Sequence, residues 1–277
     1  MRGSIRRIDG ISLMLDGPQI CKVAGGGWWI LLFAGVLSLP EAVRADESAD
    51  KREELHLYMK GRYLFQKNCT VCHGETGRGN GPWAAELKDK PRNFRTGVFK
   101  FRTTPFGKLP VDDDLRRTIR SGISGTAMPF FVDFSDEDVS SLIVYLQNLS
   151  RNWDDESLMA EPIQLPGLPE WYHKGEKAAA HAQSGKALFA IHCSSCHGPE
   201  GHGDGPASGE LIDMWEHKIV PADLSAAHHK SGDKPQDLYR TIATGLNGTP
   251  MVGFFGTLDE ESIWDLVTYI KSLEKIE

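Results

Sequence analysis

Two stretches of the 277-residue chain carry cysteine and histidine at a spacing suited to chemistry, Cys69-Thr-Val-Cys72-His73 and Cys193-Ser-Ser-Cys196-His197. Two thiols three positions apart on a helical turn can each form a thioether to a vinyl group of one porphyrin, and the adjoining histidine then faces the iron. Covalent attachment retains a cofactor that a small domain would otherwise hold weakly, and imidazole supplies a strong nitrogen ligand. The expected cofactors are therefore two covalently bound haems c, their irons held by His73 and His197. A single C-x-x-C also fits half a zinc site or a thiol redox pair. Repetition of the motif with its histidine favours haem.

Both motifs run into glycine-rich loops, HGETGRGNGP at 73–82 and HGPEGHGDGP at 197–206, with glycines at matching positions. Glycine there permits positive φ and close approach of backbone to a flat macrocycle. An ordinary glycine-rich surface loop would have similar composition. The closing prolines, Pro82 and Pro206, fix a turn whose carbonyls are expected to accept the Nδ1 proton of His73 and His197, setting each imidazole's tautomer and orientation.

The elements that must position these residues are duplicated. GRYLFQKNCTVCHG from Gly61 matches GKALFAIHCSSCHG from Gly185, RTIRSGISGTAM from Arg117 matches RTIATGLNGTPM from Arg240, and VSSLIVYLQNLS from Val139 matches IWDLVTYIKSLE from Ile263. Three blocks in the same order describe a repeated domain. Each unit opens with apolar residues at helical spacing before the cysteines and closes with a second amphipathic stretch, Leu142, Tyr145, Leu146 and Leu149 in one and Leu266, Tyr269, Ile270 and Leu273 in the other. Ser135 to Asp138 and Thr257 to Glu260 read as N-terminal caps, the latter as a full capping box. Alternating patterns are scarce, so the fold class is all-α. Between the units, AEPIQLPGLPEW at 160–171 holds three prolines and reads as an extended linker. The expected organisation is 46–151 for the first domain, 152–175 for the linker and 176–277 for the second domain.

The first 45 residues differ from the rest. Basic residues precede the apolar run Trp28 to Leu39, followed by Pro40 and a small-residue cut expected after Ala45, which is the layout of a secretory signal peptide over 1–45. The run is short for a membrane span, although Val23 to Leu39 is free of charge and an uncleaved anchor is the rival reading. Cleavage would remove five basic and three acidic residues and take the net charge from −7 to −9. Such a surface disfavours nucleic acid and anionic lipid. Of the five cysteines, Cys21 would leave with the leader, and the other four all lie in the two motifs. No cysteine then remains for the disulfide framework that an oxidising compartment would favour.

Each unit resembles a class I cytochrome c domain: a first helix with glycine and an aromatic before C-x-x-C-H, a methionine downstream in a loop, and a last helix bearing an aromatic. The resemblance covers 55–150 and 180–275 and is strongest to tandem dihaem cytochromes that serve respiratory oxidoreductases. It implies that first and last helices cross where a small glycine admits an aromatic, at Gly61 with Tyr145 and Gly185 with Tyr269. It also implies methionine as the sixth iron ligand, whose soft thioether raises the potential. Met128 and Met251 alone occupy equivalent positions, each preceded by Gly-Thr-x. Met59, Met159 and Met214 lack counterparts and read as packing or surface residues. Bis-histidine ligation would need another histidine, but His192 adjoins a motif cysteine and cannot easily reach round the plane, and His202, His217, His228 and His229 have no histidine counterparts in the first unit.

The segment Lys88 to Lys108 carries seven basic residues and one acidic, interleaved with Phe94, Phe99, Phe101 and Phe106. Its charges could pair with haem propionates, Arg92 and Arg102 being the preferred contacts, or could dock an acidic partner. A solvated loop with aromatics packed on the haem is the plainer reading. Two six-coordinate irons leave no substrate position, so the expectation is a periplasmic one-electron carrier and not an enzyme. Its docking to redox protein partners would be weak and transient, with membrane contact only through an uncleaved leader. The rival readings are a dihaem peroxidase or thiosulfate-oxidising enzyme, and a membrane-anchored haem subunit of a respiratory complex.

Overall fold

The computed structural model describes residues 41–274, so the expected leader run at 28–39 and its charge-free stretch lie outside the described residues. Each half of the chain builds the same pattern. In the first, α1 (Glu41–Asn68) leads into the short α2 (Thr70–His73), followed by α3 (Asp112–Ser121) and α4 (Asp136–Asn148). In the second, α5 (Gly175–His192), α6 (Ser194–His197), α7 (Pro235–Thr244) and α8 (Glu260–Leu273) repeat it. Among the described residues there is no strand, only isolated bridges at Ile212 with Lys218 and Phe255 with Leu258. The all-α expectation holds.

The expected helix crossings are present, and the glycines explain why they are close. A Cβ on Gly61 would collide with the Ser141 carbonyl oxygen and lie 2.9 Å from the Tyr145 Cβ; one on Gly185 would collide with the Asp265 carbonyl oxygen and lie 2.9 Å from the Tyr269 Cβ. Only hydrogen at these positions lets the backbones of α1 and α4, and of α5 and α8, approach so far. Phe65 then packs against Tyr145 with ring centroids 5.2 Å apart, and Phe189 against Tyr269 at 5.3 Å. These contacts seed two cores, one around Phe65, Leu142 and Leu146, the other around Phe189, Leu266 and Ile270.

Caps fix where the closing helices start. The Ser135 hydroxyl accepts from the Asp138 N–H at 3.1 Å while the Asp138 carboxylate accepts from the Ser135 N–H at 2.9 Å, a reciprocal pair where the sequence indicated only a cap. In α8 the cap is instead Asp259, which accepts from Ser262 N–H at 2.8 Å, two residues later than the Thr257 box expected from sequence. Aspartate reaches the exposed N–H groups of the first turn as well as threonine does and adds a favourable negative charge there.

The proline-rich stretch is extended but not free. Trp153 packs in the first core, Ile163 in the second, and Ile163 N–H donates to the Thr103 carbonyl of the first half at 2.8 Å. Trp171 stacks on His181 with ring centroids 3.5 Å apart. The two halves also clasp directly. Asn247 accepts from Gly107 N–H at 2.8 Å and donates to the Lys108 carbonyl at 3.0 Å, which satisfies both groups of its amide across the junction.

Candidate functional site

In each half the first long helix ends on the residue before the first motif cysteine, and the chain turns into a single short helix carrying the second cysteine and the histidine. The loop then folds back. Gly79 N–H donates to the His73 carbonyl and Gly81 N–H to the Cys72 carbonyl, and Gly203 and Gly205 repeat these bonds to His197 and Cys196. Gly79 at φ 76° and Gly203 at φ 76° occupy the left-handed region, and a side chain there would strike the carbonyl of Pro91 or Pro221.

Those carbonyls belong to the segment that holds the imidazoles. His73 Nδ1 lies 3.0 Å from the Arg92 carbonyl oxygen and His197 Nδ1 lies 3.1 Å from that of Ala222. This corrects the expectation for Pro82 and Pro206. Gly81 and Trp83, on either side of Pro82, donate to the carbonyls of Cys72 and Val71, and this pairing runs the proline alongside α2. Gly205 and Ala207 bond Cys196 and Ser195 in the same way around Pro206. With Nδ1 donating to a carbonyl, Nε2 is the nitrogen left for a metal. Loss of solvent lowers the basicity of both histidines, opposed by the carbonyl bond, so each is neutral at pH 7 as a ligand must be. Phe94 stacks on His73, centroids 4.5 Å apart, and fixes the ring plane.

The methionines are held by a device the sequence displayed without revealing its purpose. The Thr126 hydroxyl donates to the Ile123 carbonyl at 2.8 Å and accepts from Met128 N–H at 3.1 Å; the Thr249 hydroxyl donates to the Leu246 carbonyl at 2.8 Å and accepts from Met251 N–H at 3.2 Å. Each methionine carbonyl in turn accepts from Ile123 or Leu246 N–H. The threonine of Gly-Thr-x-Met thus closes a tight loop around the thioether residue in both halves.

In the first half Cys69, Cys72, His73 and Met128 line one cleft, together with Phe65, Leu115, Ile119, Leu142 and Leu146. An apolar slot open at its mouth, with paired thiols, a neutral imidazole and a thioether in its walls, fits a covalently held haem. It does not fit the thiol alternatives. Burial pushes the Cys69 thiol up to about 12 and the Cys193 thiol up to about 11, the reverse of what a reactive redox cysteine requires. Among the described residues no three cysteine, histidine or carboxylate side chains converge as a zinc site would need.

The remaining predicted residues divide. Arg92 lines the first cleft, but its guanidinium lies 4.1 Å over the ring centre of Trp215 from the second half. Arg102 does not reach the cleft, which corrects its assignment as a propionate contact. It is fully buried and donates to the carbonyls of Pro105 and Lys100 in its own half and of Thr244 and Gly245 at the end of α7. A buried guanidinium takes the acceptors that surround it, and here these are backbone carbonyls across the junction of the halves. Among the unmatched histidines, His202, His217, His228 and His229 each sit beside a carboxylate, that of Asp223, Asp213, Asp233 and Glu274 respectively.

Fold and site together define a c-type cytochrome built twice. The family model described as cytochrome c matches residues 182–274, and that described as cytochrome C oxidase, cbb3-type, subunit III matches 56–146. A solved structure, the Kuenenia stuttgartiensis reducing HAO-like protein complex Kustc0457/Kustc0458, superposes with a TM-score of 0.71 at 35% identity, over 78% of this chain and 96% of that one. Curated relatives include the cbb3-type cytochrome c oxidase subunit CcoP of Azospirillum brasilense, 24% identical over 84% of this chain and 68% of its own length. Another is the thiosulfate dehydrogenase of Psychrobacter arcticus, 24% identical over 76% of this chain and 57% of its own. The chain belongs to the cytochrome c family as a tandem dihaem member, an electron-transfer protein with two covalently bound haems c.

Proposed function

We propose that the protein is an exported carrier of single electrons between respiratory redox proteins, with His73 and Met128 ligating one iron and His197 and Met251 the other. Bound haem supplies a one-electron ferric/ferrous couple. The polypeptide keeps each imidazole neutral and oriented through the Arg92 and Ala222 carbonyls, and it lowers the local dielectric with an apolar wall. The single observation that carries the reading is the repeat-equivalent clasp of Met128 by Thr126 and of Met251 by Thr249. A chain that fixes both thioether residues alike is built to fill both sixth positions, which leaves none for a substrate. Weak, transient docking in the periplasm follows as the working mode. The oxidised protein should not turn over thiosulfate, nor the reduced protein peroxide, at catalytic rates; sustained turnover of either would establish the enzyme reading.

A second reading, a resident subunit of a larger oxidoreductase, has its own support. The solved relative is a complex, and the CcoP relatives are named as oxidase subunits. Apolar side chains just beyond each methionine also stand out in solvent, Phe130 at 67% and Val132 at 62%, Val252 at 52% and Phe255 at 56%. Among the described residues no helix is long and apolar enough to cross a membrane. Native-mass analysis of protein purified from membrane and soluble fractions separates the readings. A carrier runs alone with its leader removed, whereas a subunit stays in stoichiometric complex.

A further inference from the structure

The first cleft is not finished by the first half of the chain. Lys230, from the loop before α7, lines it beside Arg92 and Lys100, and its ammonium hydrogen-bonds to the Asp89 carboxylate. Trp215, also of the second half, covers the Arg92 guanidinium. Lys90 lines the same cleft, but its ammonium is already committed to the carbonyls of Ala84 and Ala85.

Three cations therefore gather at the edge of a largely apolar slot, and the protein offers them few acceptors. Among the described residues neither the Arg92 guanidinium nor the Lys100 ammonium donates a hydrogen bond to a protein group. Loss of solvent, with Arg92 and Lys230 close by, pushes Lys100 down to about 8 in spite of Asp213 and Asp89. Half-buried cations crowded at an apolar wall repel one another, so such an arrangement favours anionic oxygens in the cleft. Carboxylates at the rim of the macrocycle are of that class and have the reach of a paired hydrogen-bond acceptor. The second half has no equivalent, because Ala222 stands where Arg92 does in the first.

We propose that Arg92, Lys100 and Lys230 bind the carboxylates of the first haem, so that the second domain supplies part of the first domain's cofactor site and its charge tunes that haem alone. The proposal rests on the cleft holding a haem. Ferric iron carries one more positive charge than ferrous, so a neighbouring cation favours the reduced form and a neighbouring anion the oxidised form.

The test is a spectroelectrochemical titration of full-length holoprotein, with haem content measured on each variant and the first haem's wave assigned through Met128→His. Lys100→Gln and Lys230→Gln should lower the first midpoint, Asp89→Asn should raise it, and the second midpoint should stay in place in all three. If the Lys230 and Asp89 pair were only a bolt between the halves, Lys230→Gln and Asp89→Asn would both loosen it and move the midpoint in the same direction. That result, or an unmoved first midpoint in Lys100→Gln and Lys230→Gln, overturns the proposal. Loss of haem from the wild-type chain would instead overturn the cytochrome reading on which it rests.

Discussion

Replacing Gly61 with alanine tests the helix crossing that frames the first site. Alanine favours the helical backbone over glycine by about 1 kcal/mol, so in an isolated helix the change would stabilise. Here the added methyl meets the Ser141 carbonyl oxygen and the Tyr145 Cβ, which are backbone and stem atoms that no rotamer change can withdraw. Relief requires α1 and α4 to part, and overpacking of this kind costs roughly 1–3 kcal/mol. With the obstacle on the backbone the upper end applies, leaving a net loss of about 2 kcal/mol, or roughly 30-fold in the ratio of folded to unfolded chain. Gly185→Ala should behave alike, because the Asp265 carbonyl and Tyr269 stand in the same places. Denaturant titration of the holoprotein, followed by far-ultraviolet circular dichroism, reads the midpoint shift with the slope held equal. A Gly61→Ala protein as stable as wild type, or more so, would refute the crossing geometry.

Other expectations follow from the same contacts. Thr126→Val and Thr249→Val each remove a hydroxyl that makes two bonds, at about 1 kcal/mol apiece, and should let the adjacent methionine leave iron at a lower pH in an alkaline titration monitored by absorption. Arg102→Leu strips donors from the Thr244 and Gly245 carbonyls, at about 1–3 kcal/mol for a buried acceptor left unpaired, and should let unfolding of the two halves separate into distinct transitions. The hydrogen bond from Lys60, aided by Ser135, holds the Asp138 carboxyl down to about 2. A depressed acid stabilises the fold above its unfolded value and loses that contribution as pH falls from about 4 to 2. Asp138→Asn should therefore lower stability at neutral pH and flatten the acid limb across that window, with variant and wild type converging below about pH 2.

The parts of the fold that sequence revealed are those written in side chains and repeated. Gly61 and Gly185 aligned with each other, and so did Tyr145 and Tyr269, and their pairing survived into the structure because a helix crossing depends on side-chain size at fixed positions. The histidine acceptors were missed because a backbone carbonyl has no residue signature. Pro91-Arg92-Asn93-Phe94 does match Pro221-Ala222-Asp223-Leu224, with Asn93 accepting from Arg95 N–H and Asp223 from Ser225 N–H. The match is easily overlooked, since 19 residues separate His73 from Arg92 and 25 separate His197 from Ala222. Arg102 was misassigned for a related reason. Its basic, aromatic-rich neighbourhood suits a propionate as well as a domain junction, and only contacts more than 140 residues away decide between them. The prolines signalled a stretch without regular helix, while the burial of Ile163 depends on a core that the stretch itself does not contain.

The absorption spectrum of the oxidised holoprotein, taken with haem content and repeated on Met128→His and Met251→His, tests the central claim most directly. Two haems per chain should be present, both low-spin, with a methionine-to-ferric charge-transfer band that loses half its intensity in either variant and all of it in the double variant. A high-spin signal in the wild type, or a band that survives in the double variant, would contradict ligation by these two residues.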